Sequence, residues 1–201
     1  MMTRRIAKIV ATTLAAIAVP TLAFAHTGVG ATTGFMQGFG HPISGLDHIL
    51  AMVMVGVFGF QIGGRALWLV PSTFVLAMAA GGALGMMGIA IPLVETGVAL
   101  SVLVLAAIVA LDIKASAGGA TAVVGLFAIF HGHAHGTEMP ENVGGAVYAL
   151  GFMIVTALLH VGGIALGFII HKTSERGGQI VRQSAGGIAA IAGVGLLTGQ
   201  L

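Results

Sequence analysis

The sequence predicts an all-α membrane protein, with a six-helix transmembrane bundle that follows a cleavable signal peptide. Hydrophobic residues make up 57% of the 201 residues and charged residues only 7%, and the mean hydropathy is +1.07. Soluble domains carry about 25% charged residues. Six apolar segments follow the amino-terminal region, each close to or above the ~20 residues that cross a bilayer. A single polytopic domain therefore accounts for the mature chain.

The amino terminus has the layout of a secretory signal. Three basic residues precede a short apolar stretch over 9–19, and Ala23 and Ala25 fit the small-x-small rule for cleavage. We expect residues 1–25 to be removed, so that His26 begins a transport domain over 26–201. The alternative is an uncleaved first helix.

The apolar segments run over 42–63, 66–90, 93–112, 119–138, 143–170 and 179–199. Segment 27–40 is rich in glycine and too short to span, so we expect an external or re-entrant stretch. With the mature amino terminus outside, all basic residues of the mature chain fall in or beside cytoplasmic loops, as the positive-inside rule requires. They are Arg65, Lys114, Lys172, Arg176 and Arg182. We expect a bacterial cytoplasmic (inner) membrane protein with both termini periplasmic.

Composition excludes several kinds of chemistry. The chain has no cysteine, which excludes disulfides, thiolate zinc sites and cysteine nucleophiles. Its basic residues are too few and too dispersed for a surface that tracks phosphates, so we expect no nucleic-acid partner. No segment resembles a P-loop, so ATP hydrolysis by this chain is not expected.

Two histidine–carboxylate motifs interrupt the apolar sequence. HPISGLDH, at 41–48, opens the first span, and FHGHAHGTE, at 130–138, closes the fourth. Ionisable groups cost roughly 2.5–3.5 kcal/mol each at mid-helix in lipid and usually mark a pathway or a site. Imidazole beside carboxylate suits a divalent transition metal. Since the topology brings both motifs to the outer face, we expect them to form one metal site.

Helical phase selects ligands in the second motif. At 100° per residue, His131, His135 and Glu138 lie within about 60° of arc. His133 points away from His131, and we expect it to serve elsewhere. The two glycines that alternate with these histidines would leave room for an ion beside the helix.

The first motif and two further positions complete the predicted ligand set. His41 and His48 are seven residues apart and are expected on one helix face. Asp47 is either a ligand or an acceptor that orients an imidazole of another helix. Glu95, in the first turn of the third span, is a further candidate, or it interacts with the helix dipole. His26 would chelate through its amino group and imidazole once cleavage exposes it.

One histidine inside an apolar segment lies away from both motifs. His160 falls in the inner half of the fifth span. Two interpretations stay open for this residue, a relay on an exit path or a hydrogen-bonded side chain within the bundle.

The two motifs resemble signatures of the HupE/UreJ family of nickel and cobalt permeases. HPxxGxDH matches residues 41–48 and FHGxAHGxE matches residues 130–138 without departure, and His133 falls on a free position. The resemblance extends over the signal peptide and the six-span layout. It implies uptake of Ni²⁺, or Co²⁺, for metalloenzymes such as hydrogenase and urease. Residue chemistry alone also allows zinc and copper.

Together these observations predict a permease rather than an enzyme, with facilitated diffusion as its mechanism. We expect no prosthetic group, a metal ion as cargo and the lipid bilayer as surroundings. The alternatives are an intramembrane metal-dependent hydrolase that uses bound water, a metal sensor or accessory scaffold, and a bis-histidine haem protein. Proton coupling, a homo-oligomer and a metallochaperone partner stay open.

Overall fold

A computed structural model describes residues 34–139, 144–172 and 175–198, and within these ranges all regular structure is helical. The predicted signal peptide, its cleavage site and His26 lie outside the described residues. The helices are α1 Gly34–Ser44, α2 Leu46–Ile62, α3 Ala66–Met86, α4 Val94–Ala110, α5 Ala117–Thr137, α6 Gly145–His171 and α7 Glu175–Leu197. The prediction of an all-α fold is confirmed.

Judged by length and composition, fewer helices qualify as membrane spans than the six that the sequence predicts. Within the described ranges α3, α5, α6 and Gly177–Leu197 of α7 are long and apolar enough to cross. The bent pair α1–α2 makes a fifth span if it counts as one. Helix α4 is apolar but has 17 residues, or roughly 26 Å, against about 30 Å for the hydrocarbon core.

The amino-terminal part of the first predicted span forms a separate helix. Helix α1 ends at Ser44 and α2 begins at Leu46, with an angle of 83° between them. Gly45 joins them with an extended backbone (φ −102°, ψ 124°), and Pro42 lacks the amide that would continue the helix ladder. His41 and His48 therefore lie on different helices, and the expectation that they share one helix face is wrong.

Glycines bring α3 and α5 into backbone contact. A Cβ at Gly81 would overlap the carbonyl of Ile129, and a Cβ at Gly85 would lie 2.6 Å from the carbonyl oxygen of His133. Small residues permit this close approach where lipid supplies no hydrophobic drive between helices. The packing fixes the end of α5, which carries the second motif, against the end of α3.

The two ends of the bundle differ in charge. Lys114 precedes α5 and pairs with Asp112, with 2.9 Å between Nζ and Oδ2, whereas Glu138 follows the opposite end of α5. Arg65 precedes α3 and Lys172 follows α6. The basic residues with described side chains thus lie at helix ends remote from the second motif.

Candidate metal centre

The two motifs meet in the folded chain. The imidazole ring of His48, in the first turns of α2, lies 4.2 Å from the ring of His135 in α5, measured between centroids. The ring of His41, in α1, lies 4.7 Å from the ring of His135. The break at Gly45 makes this possible, because the bend directs both histidines of the first motif at one histidine of the second.

A buried triad forms the inner part of the site. His48, His131 and His135 each offer a ring nitrogen, and these three atoms lie within 4.8 Å of one another. All three side chains are buried. Within the described ranges, three ring nitrogens of this triad have neither a hydrogen bond nor an ion pair: Nε2 of His48, Nδ1 of His131 and Nε2 of His135. Buried polar atoms are normally satisfied, so the arrangement fits a cation that binds lone pairs.

A second group lies towards the surface and shares one residue with the triad. His41, His135 and Glu138 also place one ligand atom each within 4.8 Å. Oε2 of Glu138 is 3.3 Å from Nε2 of His41 and 3.7 Å from Nδ1 of His135. Glu138 is about half exposed, and the interaction with His135 holds the pKa of its carboxyl below the usual value. The outer group is therefore anionic and open to solvent.

Asp47 supports the triad through its neighbour in the chain. Its Oδ1 is 2.7 Å from Nδ1 of His48. A Cβ at Gly45 would lie 2.7 Å from that same oxygen and 3.1 Å from Nδ1 of His48, so the glycine makes room for the pair. Asp47 belongs to neither three-residue group. The imidazole that it contacts is in its own helix, not in another one.

Ser101 in α4 fixes the proton on His131, and the sequence carried no signal for it. Its Oγ is 2.6 Å from the carbonyl oxygen of Val98 and 2.7 Å from Nε2 of His131. Because a hydroxyl has one proton and the carbonyl can only accept, Nε2 of His131 donates to Ser101. This tautomer leaves a lone pair on Nδ1 of His131, which is buried among the triad. Metal-binding imidazoles are commonly oriented by such partners.

His133 has a different partner, in line with its predicted phase. Its side chain is buried, and Nε2 lies 2.7 Å from the carbonyl oxygen of Ile89 in the connection after α3. A carbonyl only accepts, so Nε2 carries the proton. The contact ties the end of α5 to the α3–α4 connection, which makes a packing role the simplest interpretation.

The structure does not place two further predicted ligands in the site. Glu95 is exposed in the first turn of α4 and is a member of neither three-residue group. His26 lies outside the described residues. Their participation stays a prediction.

The glycines of the second motif serve packing. A Cβ at Gly132 would overlap the carbonyl oxygen of Met78, and a Cβ at Gly136 would overlap that of Gly82. Both glycines face the backbone of α3 rather than the triad. A neighbouring helix fills the space at their Cβ positions, but both glycines also line a cleft beside His135, so the expectation that they leave room for an ion stays a prediction.

A cleft that is lined in part by methionine side chains reaches His135. Four methionines that are distant in sequence line it together with Tyr148 and Phe152. They are Met78, Met86, Met139 and Met153. Met86 precedes Met87, and Met139 lies between Glu138 and Pro140. Neither context indicates that these methionines gather beside a histidine.

Comparison with known proteins identifies the family. A profile described as HupE / UreJ protein matches residues 14–196. The chain belongs to the HupE/UreJ family. Protein HupE of Rhizobium leguminosarum bv. viciae is 48% identical over 190 residues, which cover 94% of this chain and 97% of that protein. No solved structure matches. The resemblance inferred from the two motifs is confirmed, and family and apolar helices together make this HupE/UreJ chain a membrane protein.

Proposed function

We propose that this protein is a permease for the uptake of a divalent transition metal ion, with Ni²⁺ as the first candidate and Co²⁺ as the second. The observation that carries the proposal is the convergence of two remote motifs on one cluster of buried imidazoles. Imidazole with carboxylate suits borderline divalent ions. Membership of the HupE/UreJ family supports transport over catalysis and favours nickel or cobalt over zinc and copper.

The shared ligand suggests how the ion moves. In this proposal a hydrated cation first meets the half-exposed outer group, where the Glu138 carboxylate and His41 replace part of its water. His135 belongs to both groups, so it holds the ion while outer ligands are exchanged for His48 and His131. The handover needs no open channel at this depth, only the replacement of ligands one at a time.

The membrane potential supplies the driving force. A dication that moves to a negative interior gains about 4.6 kcal/mol per 100 mV, twice the value for one charge. Facilitated diffusion is therefore sufficient without nucleotide hydrolysis. The absence of a P-loop sequence agrees with this mechanism.

The proposed topology has six crossings with the metal site at the periplasmic side. A cleaved signal at 1–25 would place the mature amino terminus outside, and α1–α2 and α4 would supply the crossings beyond the four long helices. Arg65, Lys114 and Lys172 then face the cytoplasm, as the positive-inside rule requires. The membrane in this proposal is the bacterial cytoplasmic membrane.

Uptake into proteoliposomes tests the function. Purified protein is reconstituted, an inside-negative potential is imposed, and entry of radiolabelled Ni²⁺ or Co²⁺ is measured. We expect uptake by the wild type and a loss of more than about 10-fold in His48→Ala and in His135→Ala, since changes that only disturb ligand orientation already cost 10–100-fold.

The matched control is His171→Ala. His171 is exposed at the far end of α6, so this variant removes a histidine without touching the cluster and should transport as the wild type does. Normal uptake by both cluster variants would show that the assigned site is not the transport site.

A further inference from the structure

One histidine outside the metal centre has no place in the function described so far. His160 of α6 is 1% exposed, and neither of its ring nitrogens has a hydrogen-bond partner among the described residues. The interpretation that it is a hydrogen-bonded side chain within the bundle therefore has no support there. Burial of an imidazole without a hydrogen bond in an apolar span costs free energy. A ligand that binds the imidazole would offset this cost.

The position of His160 is deeper than the triad. The ends of α3, α5 and the beginning of α6 lie together, since a Cβ at Gly145 would be 3.3 Å from Sδ of Met86 and 3.4 Å from Sδ of Met139. Counted from these ends at 1.5 Å per residue, His131 lies roughly 9 Å along α5 and His160 roughly 22 Å along α6. His160 is thus further into the bundle by more than two helical turns.

A single aromatic ring connects the triad with His160. The ring centroid of Phe74 in α3 lies 5.6 Å from that of His131 and 5.1 Å from that of His160. Phe74 lies roughly 18 Å from the last residue of α3, a depth between those of the two histidines. The ring of Phe74 therefore contacts both the innermost histidine of the triad and the deeper imidazole.

Backbone packing holds His160 in place. A Cβ at Gly56 of α2 would overlap the carbonyl oxygen of His160, and Gly163 meets α2 at the same crossing. Such close approach fixes the helix that carries the imidazole. The ring is consequently presented at a defined depth rather than free to move towards the surface.

We propose that His160 is a second, inner binding position for the transported divalent cation, which it receives after the triad. The inference rests on the proposed function, because it assigns a step in the same transport. Its unpaired nitrogens supply one imidazole ligand, and water carried with the ion completes the coordination. Binding at this position is weaker than at the triad, which has three imidazoles, so the ion moves on inward.

Measurements of uptake and of Ni²⁺ binding on the same variants distinguish an inner binding position at His160 from a residue that only packs within the bundle. His160→Leu introduces an apolar side chain of similar size and removes the ligand. We expect its Ni²⁺ affinity at the outer cluster, measured by calorimetry in detergent, to stay within about 2-fold of wild type, while uptake into proteoliposomes falls more than about 10-fold. Val155→Ala, also buried in α6, is the control for packing damage and should retain uptake.

Occupancy is tested with a thiol. The chain has no cysteine, so His160→Cys introduces a unique thiol whose alkylation by a membrane-permeant maleimide can be followed. We expect Ni²⁺ to slow that alkylation, and the slowing to disappear when His48→Ala is added, because the ion then no longer reaches the inner position.

Each outcome decides the proposal. Wild-type uptake by His160→Leu, equal loss in Val155→Ala, or alkylation that Ni²⁺ does not slow would each overturn the inner position and leave the outer site standing. Absence of uptake and of Ni²⁺ binding in the wild type itself would instead overturn the proposed function, and the inner position with it.

Discussion

At the residue scale, the site depends on which ring nitrogen of each histidine carries a proton. Ser101 fixes this for His131 and the Ile89 carbonyl fixes it for His133. Helical phase was sufficient to separate His133 from His131 and His135. It did not point to Ser101, because serine is common in membrane helices and its bond to Val98 is the ordinary way in which such a hydroxyl is satisfied.

Removal of the Ser101 hydroxyl should weaken metal binding without removing a ligand. In Ser101→Ala, His131 loses the acceptor for Nε2 and is free to place its proton on Nδ1. We expect Ni²⁺ affinity, measured by calorimetry, to fall by about 10-fold or more. Thr156→Val removes another fully buried hydroxyl, one that contacts Sδ of Met78, and should leave affinity unchanged. Equal affinities in wild type and Ser101→Ala would contradict the assigned tautomer.

Acidic medium should slow uptake. Imidazoles bind metal only when neutral, so a lower pH protonates them and weakens binding. The lowered pKa of Glu138 keeps its carboxylate ionised in mildly acidic medium, so a loss of uptake that begins there arises from the histidines. Initial uptake rates from neutral to strongly acidic external pH, at fixed potential, provide the measurement. A rate that stays constant over this whole range would count against imidazole ligands.

At the element scale, the positions of the helices follow from apolar runs, but the bend that builds the site does not. Segments 66–90, 119–138 and 143–170 correspond closely to α3, α5 and α6. Helix α1 was missed because its glycine-rich sequence is typical of a loop. It is held instead by tertiary contact, since a Cβ at Gly38 would overlap the carbonyl of Tyr148. Packing against a helix that is distant in sequence cannot be predicted from the local sequence pattern.

Two glycines of α5 should respond in opposite ways to alanine. A Cβ at Gly132 would overlap the backbone of α3, whereas a Cβ at Gly118 meets nothing within 4 Å. We expect Gly132→Ala to separate α3 from α5 and sharply lower the yield of folded protein. Gly118→Ala should be neutral, or more stable by up to about 1 kcal/mol, as helix propensity favours alanine. Thermal unfolding in detergent measures both, and equal tolerance would contradict the α3–α5 contact.

At the scale of the whole molecule, the charge asymmetry between the two bundle ends supports the proposed orientation in the membrane, whereas the membrane potential would set the direction of transport. Basic residues at helix ends face the cytoplasm in the proposed topology, and the histidine cluster faces outward. The sequence was sufficient to place both motifs at one end of the bundle, because it fixes the order of apolar segments and charged connections. The relative depths of His131, Phe74 and His160 could not be predicted from the sequence, because they depend on how the helices pack.

Single cysteines in this cysteine-free chain test the topology. Thr96, exposed in the first turn of α4, and Lys114, beyond its last turn, lie at opposite ends. We expect an impermeant maleimide to label Thr96→Cys in intact spheroplasts and Lys114→Cys only after permeabilisation. The reverse pattern would invert the bundle and place the cluster on the cytoplasmic side.

The central claim is that two remote motifs form one binding site, and a double-mutant cycle on Ni²⁺ affinity tests it most directly. Calorimetry on wild type, His48→Ala, His135→Ala and the double variant gives the coupling between the two residues. If both bind one ion, each single change removes most of the affinity and the double variant loses little more than the weaker single variant. Losses that simply add, as for independent sites, would contradict the shared pocket.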